Sequence, residues 1–257
     1  MPNYSDYLEL DRLLGLQKPG GDDHDEMLFI VIHQSYELWF KEVLHEVDYL
    51  VGLLGAGDLP RAFHTMKRVL TILKMMVAKI DILETMTPLE FLAFRDRLED
   101  GSGFQSRQFR ELEFVLGHKR HGPIERFAAG TPSRSTLEKR YAAPTLWDAL
   151  VRFLAARGYP VPRDVLERDV TRPVVPSSAM QRALMDVYRN DPQLASLCER
   201  FVDLDEGMQE WRYRHVKMVE RTIGTKPGTG GSTGAEYLRT TLMKPLFPDL
   251  WIIRADF

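Results

Sequence analysis

His215 stands where a long helical pattern calls for an apolar side chain. Leu194, Leu197, Phe201, Leu204, Met208, Trp211, His215, Met218 and Thr222 recur at alternating steps of three and four, the seam of a helix packed against others. An imidazole in such a seam is either a hydrogen-bonded core group or a ligand, and the spacing alone leaves both readings open. Gly224 ends the pattern, and the sequence GTKPGTGGSTG (224–234) follows. That run is too flexible for a core and suits a lid that closes over a ligand, or a surface linker.

His33 is the second imidazole of this kind. It follows MLFIVI (27–32), apolar on every side, which predicts full burial of that end of its helix. Two helix-borne histidines facing across an apolar slot suit a haem, one as ligand and one overhanging it. They do not suffice for a catalytic zinc, which takes three protein ligands. Arg95 lies four residues after Phe91 and shares its helix face, a carboxylate clamp beside an aromatic wall or a plain surface arginine. The glycine loop is no phosphate loop: no Lys-Ser/Thr pair follows its second glycine, and the helix precedes it. His45, His64, His118 and His121 sit among polar residues and read as surface; His24 reads as solvated or capping.

The elements that must carry these residues are helices. Asn3–Leu16 reads as a short amphipathic helix with an unpartnered aromatic face. Asp23-x-x-Glu26 resembles a capping box for a helix from about Glu26 to Leu54. Asp58 caps a second long helix, and Thr87-Pro88-Leu89-Glu90 a short one. A helix is predicted over Phe104–Leu116, ended by Gly117, with irregular chain and one short helix through 118–144. Further helices are predicted over Thr145–Arg157, from Ser177 to Asn190, from Asp191-Pro192 to Ile223 and over Gly234–Met243. Arg172–Val175 is the nearest candidate strand. The fold class is all-α, one unit over residues 1–257 with no linker dividing it.

With 44% hydrophobic and 28% charged residues and a net charge of -3, the composition is that of a soluble globular protein and argues against nucleic-acid and anionic-membrane partners. Cys198 is the single cysteine, so no intrachain disulfide or multi-cysteine metal site exists, and it is predicted to pack as a small buried hydrophobe. The N-terminus lacks a signal-peptide pattern and no apolar run is long enough for a membrane span; a cytoplasmic location is expected.

Four stretches together resemble the tryptophan 2,3-dioxygenase family: NYSDYLELDRLL, HDEMLFIVIHQSYELWFKE, FRDRLEDGSGFQSRQFRELE and WRYRHVKMVERTIGTKPGTGGSTGAEYLR. They occur in the family's order and reach both ends of the chain; the polar middle, roughly 118–190, matches as helical filler. The resemblance implies an all-α homotetramer whose long helices enclose one haem b per subunit, and oxidative opening of the indole ring of L-tryptophan by O2 to N-formyl-L-kynurenine, the first step of tryptophan catabolism through kynurenine. It implies His215 as the axial ligand of the haem iron and His33 as the distal, catalytic histidine. It also implies that Phe29, Ile30, Val31, Ile32, His33 and Phe91 belong to the indole site. Arg95 then pairs with the substrate carboxylate, Thr229 contacts the ammonium and carboxylate end, and Ser102 lies over the distal haem face. Tyr4, Tyr7 and Leu8, within an N-terminal segment 1–16, would reach a neighbouring subunit's pocket. Position 91 is Tyr in some members, so Phe91 keeps the wall and loses a hydroxyl. A haem carrier without turnover, a haem enzyme acting on another indole and a colourless helical scaffold are the competing readings.

Overall fold

A computed structural model describes residues 3–99, 101, 103–229 and 233–257, and among them the regular structure is helical with no strand. The chain opens with α1 (Tyr4–Leu8) and α2 (Leu10–Leu14), then the long α3 (His24–Ala56), α4 (Leu59–Leu83) and α5 (Pro88–Arg95). Next come α6 (Arg107–Val115), α7 (Gly122–Glu125), α8 (Pro132–Ala142), α9 (Leu146–Ala156), α10 (Arg163–Leu166) and α11 (Ser178–Asn190). The last are α12 (Pro192–Ile223), α13 (Ala235–Arg239) and α14 (Pro248–Ile252).

Helix α4 packs against both α3 and α12, and the three form the frame. Each presents an apolar stripe at helical spacing: Val43, Val47, Leu50 and Leu54 from α3; Met66, Val69, Leu73 and Ile80 from α4; Leu194, Leu197, Phe201, Leu204 and Met208 from α12, all buried. Burying one such side chain is worth about 1.5–3 kcal/mol. Gly207 lets α12 approach α4 closely, because a Cβ there would lie 2.8 Å from Leu73 Cδ2. The tail is tied to α12 by one carboxylate. Fully buried Asp205 accepts hydrogen bonds from the Leu246 and Phe247 backbone amides and from Trp251 Nε1.

The caps predicted from sequence hold at most ends. Thr87 and Glu90 form a reciprocal capping box, and Asp58, Ser177 and Asp191 cap their helices; Thr145 and Asp148 add a second, unexpected box. The box expected at Asp23 and Glu26 does not form. Arg97 takes both carboxylates, and Glu26 also accepts from the Gly20 amide; ion pairing to a distant arginine outcompetes local capping. Residues 118–144 hold two helices, α7 and α8, where one is expected, and the helix expected over Gly234–Met243 ends at Arg239; further expectations also change. The first segment is two short helices, broken at Glu9 with φ 52°. The helix expected from Phe104 starts at Arg107 under a Ser106 cap, after a 3-10 turn over Gly103–Gln105. Arg172–Val175 is irregular. The start of α3 is only partly buried: Ile32 is in the core, while Met27 and Val31 are 42% and 44% exposed.

Cys198 is buried, and burial pushes its thiol up to about 12, so it packs as an inert small apolar group. His118, expected at the surface, is half-buried beside Glu113, and desolvation lowers it to about 4. Next to it, buried Lys119 donates to the carbonyls of Arg140, Tyr141 and Ala143 and closes the end of α8.

Candidate functional site

A cavity of about 280 Å³ opens between the first turns of α3, the α5–α6 segment and the last turns of α12. It gathers Phe29 and His33 from α3, Phe91 and Arg95 from α5, and His215 from α12, together with Thr229 from the glycine loop. Its lining is mainly apolar, and its charged groups are Glu37, Arg95 and a cluster around Glu113.

His33 is oriented by its own helix. Its Nδ1 lies 2.7 Å from the Phe29 carbonyl oxygen. A carbonyl only accepts, so the ring carries its proton on Nδ1 and leaves Nε2 as an acceptor. The ring packs against Phe29 at a centroid separation of 4.0 Å. Its accessible face belongs to the cavity, and the surrounding protein desolvates it enough to lower its pKa, against the smaller opposing effects of the Phe29 carbonyl and Glu37. His33 is therefore a neutral acceptor at physiological pH.

His215 is different. No hydrogen bond engages either of its ring nitrogens among the described residues. Desolvation lowers it to about 4, with smaller contributions from His33 across the cavity and from Arg110. It is a neutral imidazole with a free lone pair, lying parallel to Trp211 one turn earlier, with centroids 5.3 Å apart and planes within 7°. Among the described residues, no group of three or more His, Cys, Asp and Glu is placed to hold a metal ion. A metal at His215 would have to bring its other ligands with it, as a prosthetic group does.

Phe29, Phe91 and Phe94 form an aromatic wall beside His33, with centroid separations of 5.4–5.9 Å. At the mouth, Arg95 Nη2 donates to the Pro227 carbonyl at 2.5 Å, and Thr229 Oγ1 donates to the Gly101 carbonyl at 2.7 Å. Pro227 and Thr229 are thus tied to Arg95 at the end of α5 and to Gly101 beyond it. Gly234 fixes the loop's return: its φ is 63°, and a Cβ there would lie 2.6 Å from the Lys226 carbonyl oxygen.

The cluster around Glu113 is what the sequence reasoning missed. The carboxylate is buried between Arg110 at 2.5 Å and Arg120 at 2.6 Å, with Arg212 at 4.0 Å. Burial acts to raise its pKa, but these guanidiniums hold the carboxyl below the usual range. Three guanidiniums surround Glu113, with the buried Asp205 carboxylate also acting on Arg212, so positive charge remains in surplus on the cavity wall. Among the described residues, Nε of Arg110, Nε of Arg120 and Nη2 of Arg212 are buried without a hydrogen-bond partner. The sequence signal was modest: Arg110 and Glu113 are three apart on α6, and Arg212 is three before His215 on α12.

Of the remaining residues expected at the site, Ile30, Val31 and Ile32 do not line the cavity. Tyr4, Tyr7 and Leu8 stand on exposed α1, away from it, with Tyr4 and Tyr7 75% and 77% exposed. Ser102 lies outside the described residues.

The tryptophan 2,3-dioxygenase family model matches residues 2–135 and 172–256. The chain belongs to the tryptophan 2,3-dioxygenase family. It is 60% identical over 255 residues to the tryptophan 2,3-dioxygenase of Herpetosiphon aurantiacus, covering 98% of this chain and 97% of that relative. It is 57% identical to that of an Anaeromyxobacter species, covering 98% and 94%, and 45% identical to that of Caulobacter vibrioides, covering 98% and 97%. The stretch the family model leaves unmatched, 136–171, falls inside the polar middle. The aromatic wall, both cavity histidines, Arg95 and Thr229 all lie in the matched parts of the tryptophan 2,3-dioxygenase pattern.

Proposed function

We propose that this chain binds haem b at His215 and uses O2 to open the indole ring of L-tryptophan, giving N-formyl-L-kynurenine. The observation that carries the proposal is the pairing, in one apolar cavity, of an imidazole with an unengaged lone pair and a second imidazole whose proton is fixed on the far nitrogen. The residues present fit the haem. His215 offers the axial nitrogen, and the surplus cationic charge around Glu113, with its unpartnered buried N–H groups, suits the two carboxylates of that cofactor. A haem so held supplies the iron that activates O2, both of whose atoms enter the product.

The chain's own residues bind and orient the substrate. Arg95 would exchange the Pro227 carbonyl for the substrate carboxylate, a charge-assisted and bidentate contact in place of a neutral one. Thr229 would turn from the Gly101 carbonyl to the amino-acid end. Phe29 and Phe91 flank the indole and keep water out. Neutral His33 Nε2 accepts a hydrogen bond from the indole N–H and so fixes which bond faces the oxidant. It does not remove that proton: with an unperturbed pKa of about 6.5, imidazole is far too weak a base, and burial weakens it further.

The same reading makes residues 1–257 a single haem-binding domain of a cytoplasmic homotetramer, in which Tyr4, Tyr7 and Leu8 complete a neighbouring subunit's pocket. Its support is the exposure of Tyr4, Tyr7 and Leu8 on α1 and of Met27 and Val31 on α3. No helix among the described residues is long and apolar enough to cross a membrane.

One experiment tests the core of the proposal. The purified protein is reconstituted with haem, its visible spectrum is recorded, and N-formylkynurenine is followed from L-tryptophan under air. A histidine-ligated haem spectrum with product formation is expected. Haem binding without loss of tryptophan would leave a carrier, and a colourless protein would overturn the cofactor.

A further inference from the structure

We infer that Trp211 is a positioning residue that sets the orientation of the His215 imidazole; the inference rests on reading His215 as the axial ligand. A histidine that ligates a metal ordinarily donates its second ring N–H to a carboxylate or carbonyl, which fixes the ring plane. His215 has no such partner among the described residues. What touches its ring face is the Trp211 indole, nearly parallel at 5.3 Å and one helical turn away.

Trp211 is itself wedged. Phe109 lies 5.0 Å from it, and Phe40 and Tyr36 meet it edge-on at 6.3 and 6.4 Å. Tyr36 is held in turn by its hydroxyl, which donates to the Met76 carbonyl at 2.7 Å. Rigidity therefore runs from α4 through Tyr36 and Trp211 to the imidazole. The buried Nε1–H of Trp211 acts on the Tyr36 hydroxyl, so the same Tyr36 that packs edge-on against the indole also helps to place it. The indole adds a second fused ring, and with it a wider face for the imidazole to lie against.

A ligand aligned by stacking, with no anionic acceptor behind it, is a neutral imidazole with a fixed plane. Loss of the stack should free rotation about the last side-chain bond and spread the ligand over several orientations.

The test uses the ferrous haem-loaded protein and its resonance Raman iron–histidine stretching band. W211L should broaden and displace that band and speed haem transfer to apomyoglobin by about tenfold or more. W211F, with a narrower ring over His215, should fall between W211L and the parent protein. Val47→Ala, which loosens the buried stripe of α3 away from Trp211 and His215, should lower the melting temperature and leave the band in place. A band unchanged in W211F or W211L overturns the inference, as does a band that moves equally in Val47→Ala. If W211L does not fold, the band of W211F decides alone. His215→Ala separates this failure from that of the underlying reading. An iron–histidine band that survives His215→Ala means the ligand is elsewhere, whereas one that is lost there and untouched in W211F and W211L removes only the role of Trp211.

Discussion

Arg95 and Pro227, 132 residues apart, are joined by a hydrogen bond from the guanidinium Nη2 to the backbone carbonyl. The group best suited to hold a substrate carboxylate is thus engaged by the loop that lies over it. Binding is an exchange: a carboxylate must take the guanidinium from the carbonyl, and the loop must find new partners as it does so. The same holds for Thr229, whose hydroxyl is given to Gly101.

Arg95→Ala should therefore weaken use of tryptophan more than a surface mutation would. Loss of a hydrogen-bonded charge contact costs about 1.5–3 kcal/mol, so kcat/KM should fall roughly 10- to 150-fold. Steady-state kinetics with L-tryptophan and with tryptamine provide the check. The variant should lose most of the preference for the amino acid, and an undiminished preference would remove Arg95 from carboxylate recognition.

His33→Ala should lower turnover and leave it measurable, because the lost contact positions the indole N–H and removes no proton. Product formation in single-turnover experiments tests this. An inactive variant that still holds haem would make His33 an obligatory base.

Gly207 and Leu73 should behave as a coupled pair. Gly207→Ala forces a Cβ to 2.8 Å from Leu73 Cδ2, and overpacking of this kind costs about 1–3 kcal/mol, partly offset by helix propensity. Leu73→Ala opens a cavity and costs about 2–5 kcal/mol. The new methyl would then occupy space that Leu73 vacates, so urea unfolding of the double variant should show a smaller loss than the sum of the singles.

Acid should destabilise the protein in part through His118. Its pKa is lowered from 6.5 to about 4 in the folded chain, first by burial and then by Arg212 and Arg120, against the attraction of Glu113. The unfolded chain therefore binds the extra proton first, and stability falls as pH drops from about 6.5 towards 4. His118→Gln should flatten that part of the profile in urea titrations at stepped pH. An unchanged slope would place the acid sensitivity elsewhere.

How much of this was legible in the sequence depended on what kind of signal each residue carried. Periodicity disclosed α3, α4 and α12, because long apolar stripes leave little choice of face. The Thr87 cap was readable because its partner lies three residues away. The Asp23 cap was misread because its carboxylate is taken by Arg97, 74 residues on, and nothing local announces that. His215 was visible as a histidine in an apolar seam, yet whether its nitrogens found partners could be read only from the packing. The Glu113 cluster was hidden for a similar reason. Arg110, Arg120 and Arg212 come from different elements, and charged residues on amphipathic helices ordinarily face water. Exposure of Met27 and Val31 was the reverse error, since an apolar run does not say whether its cover comes from the same chain.

Arg110, Arg120 and Arg212 crowd three guanidiniums around buried Glu113. Like charges so placed oppose compaction, and a bound dianion would relieve them. With haem as proposed, delivery of that guest would become part of the protein's biogenesis as well as of its chemistry. Cells short of that guest would hold a looser chain, more open to proteases, and the supply of the small molecule would set how much mature protein survives.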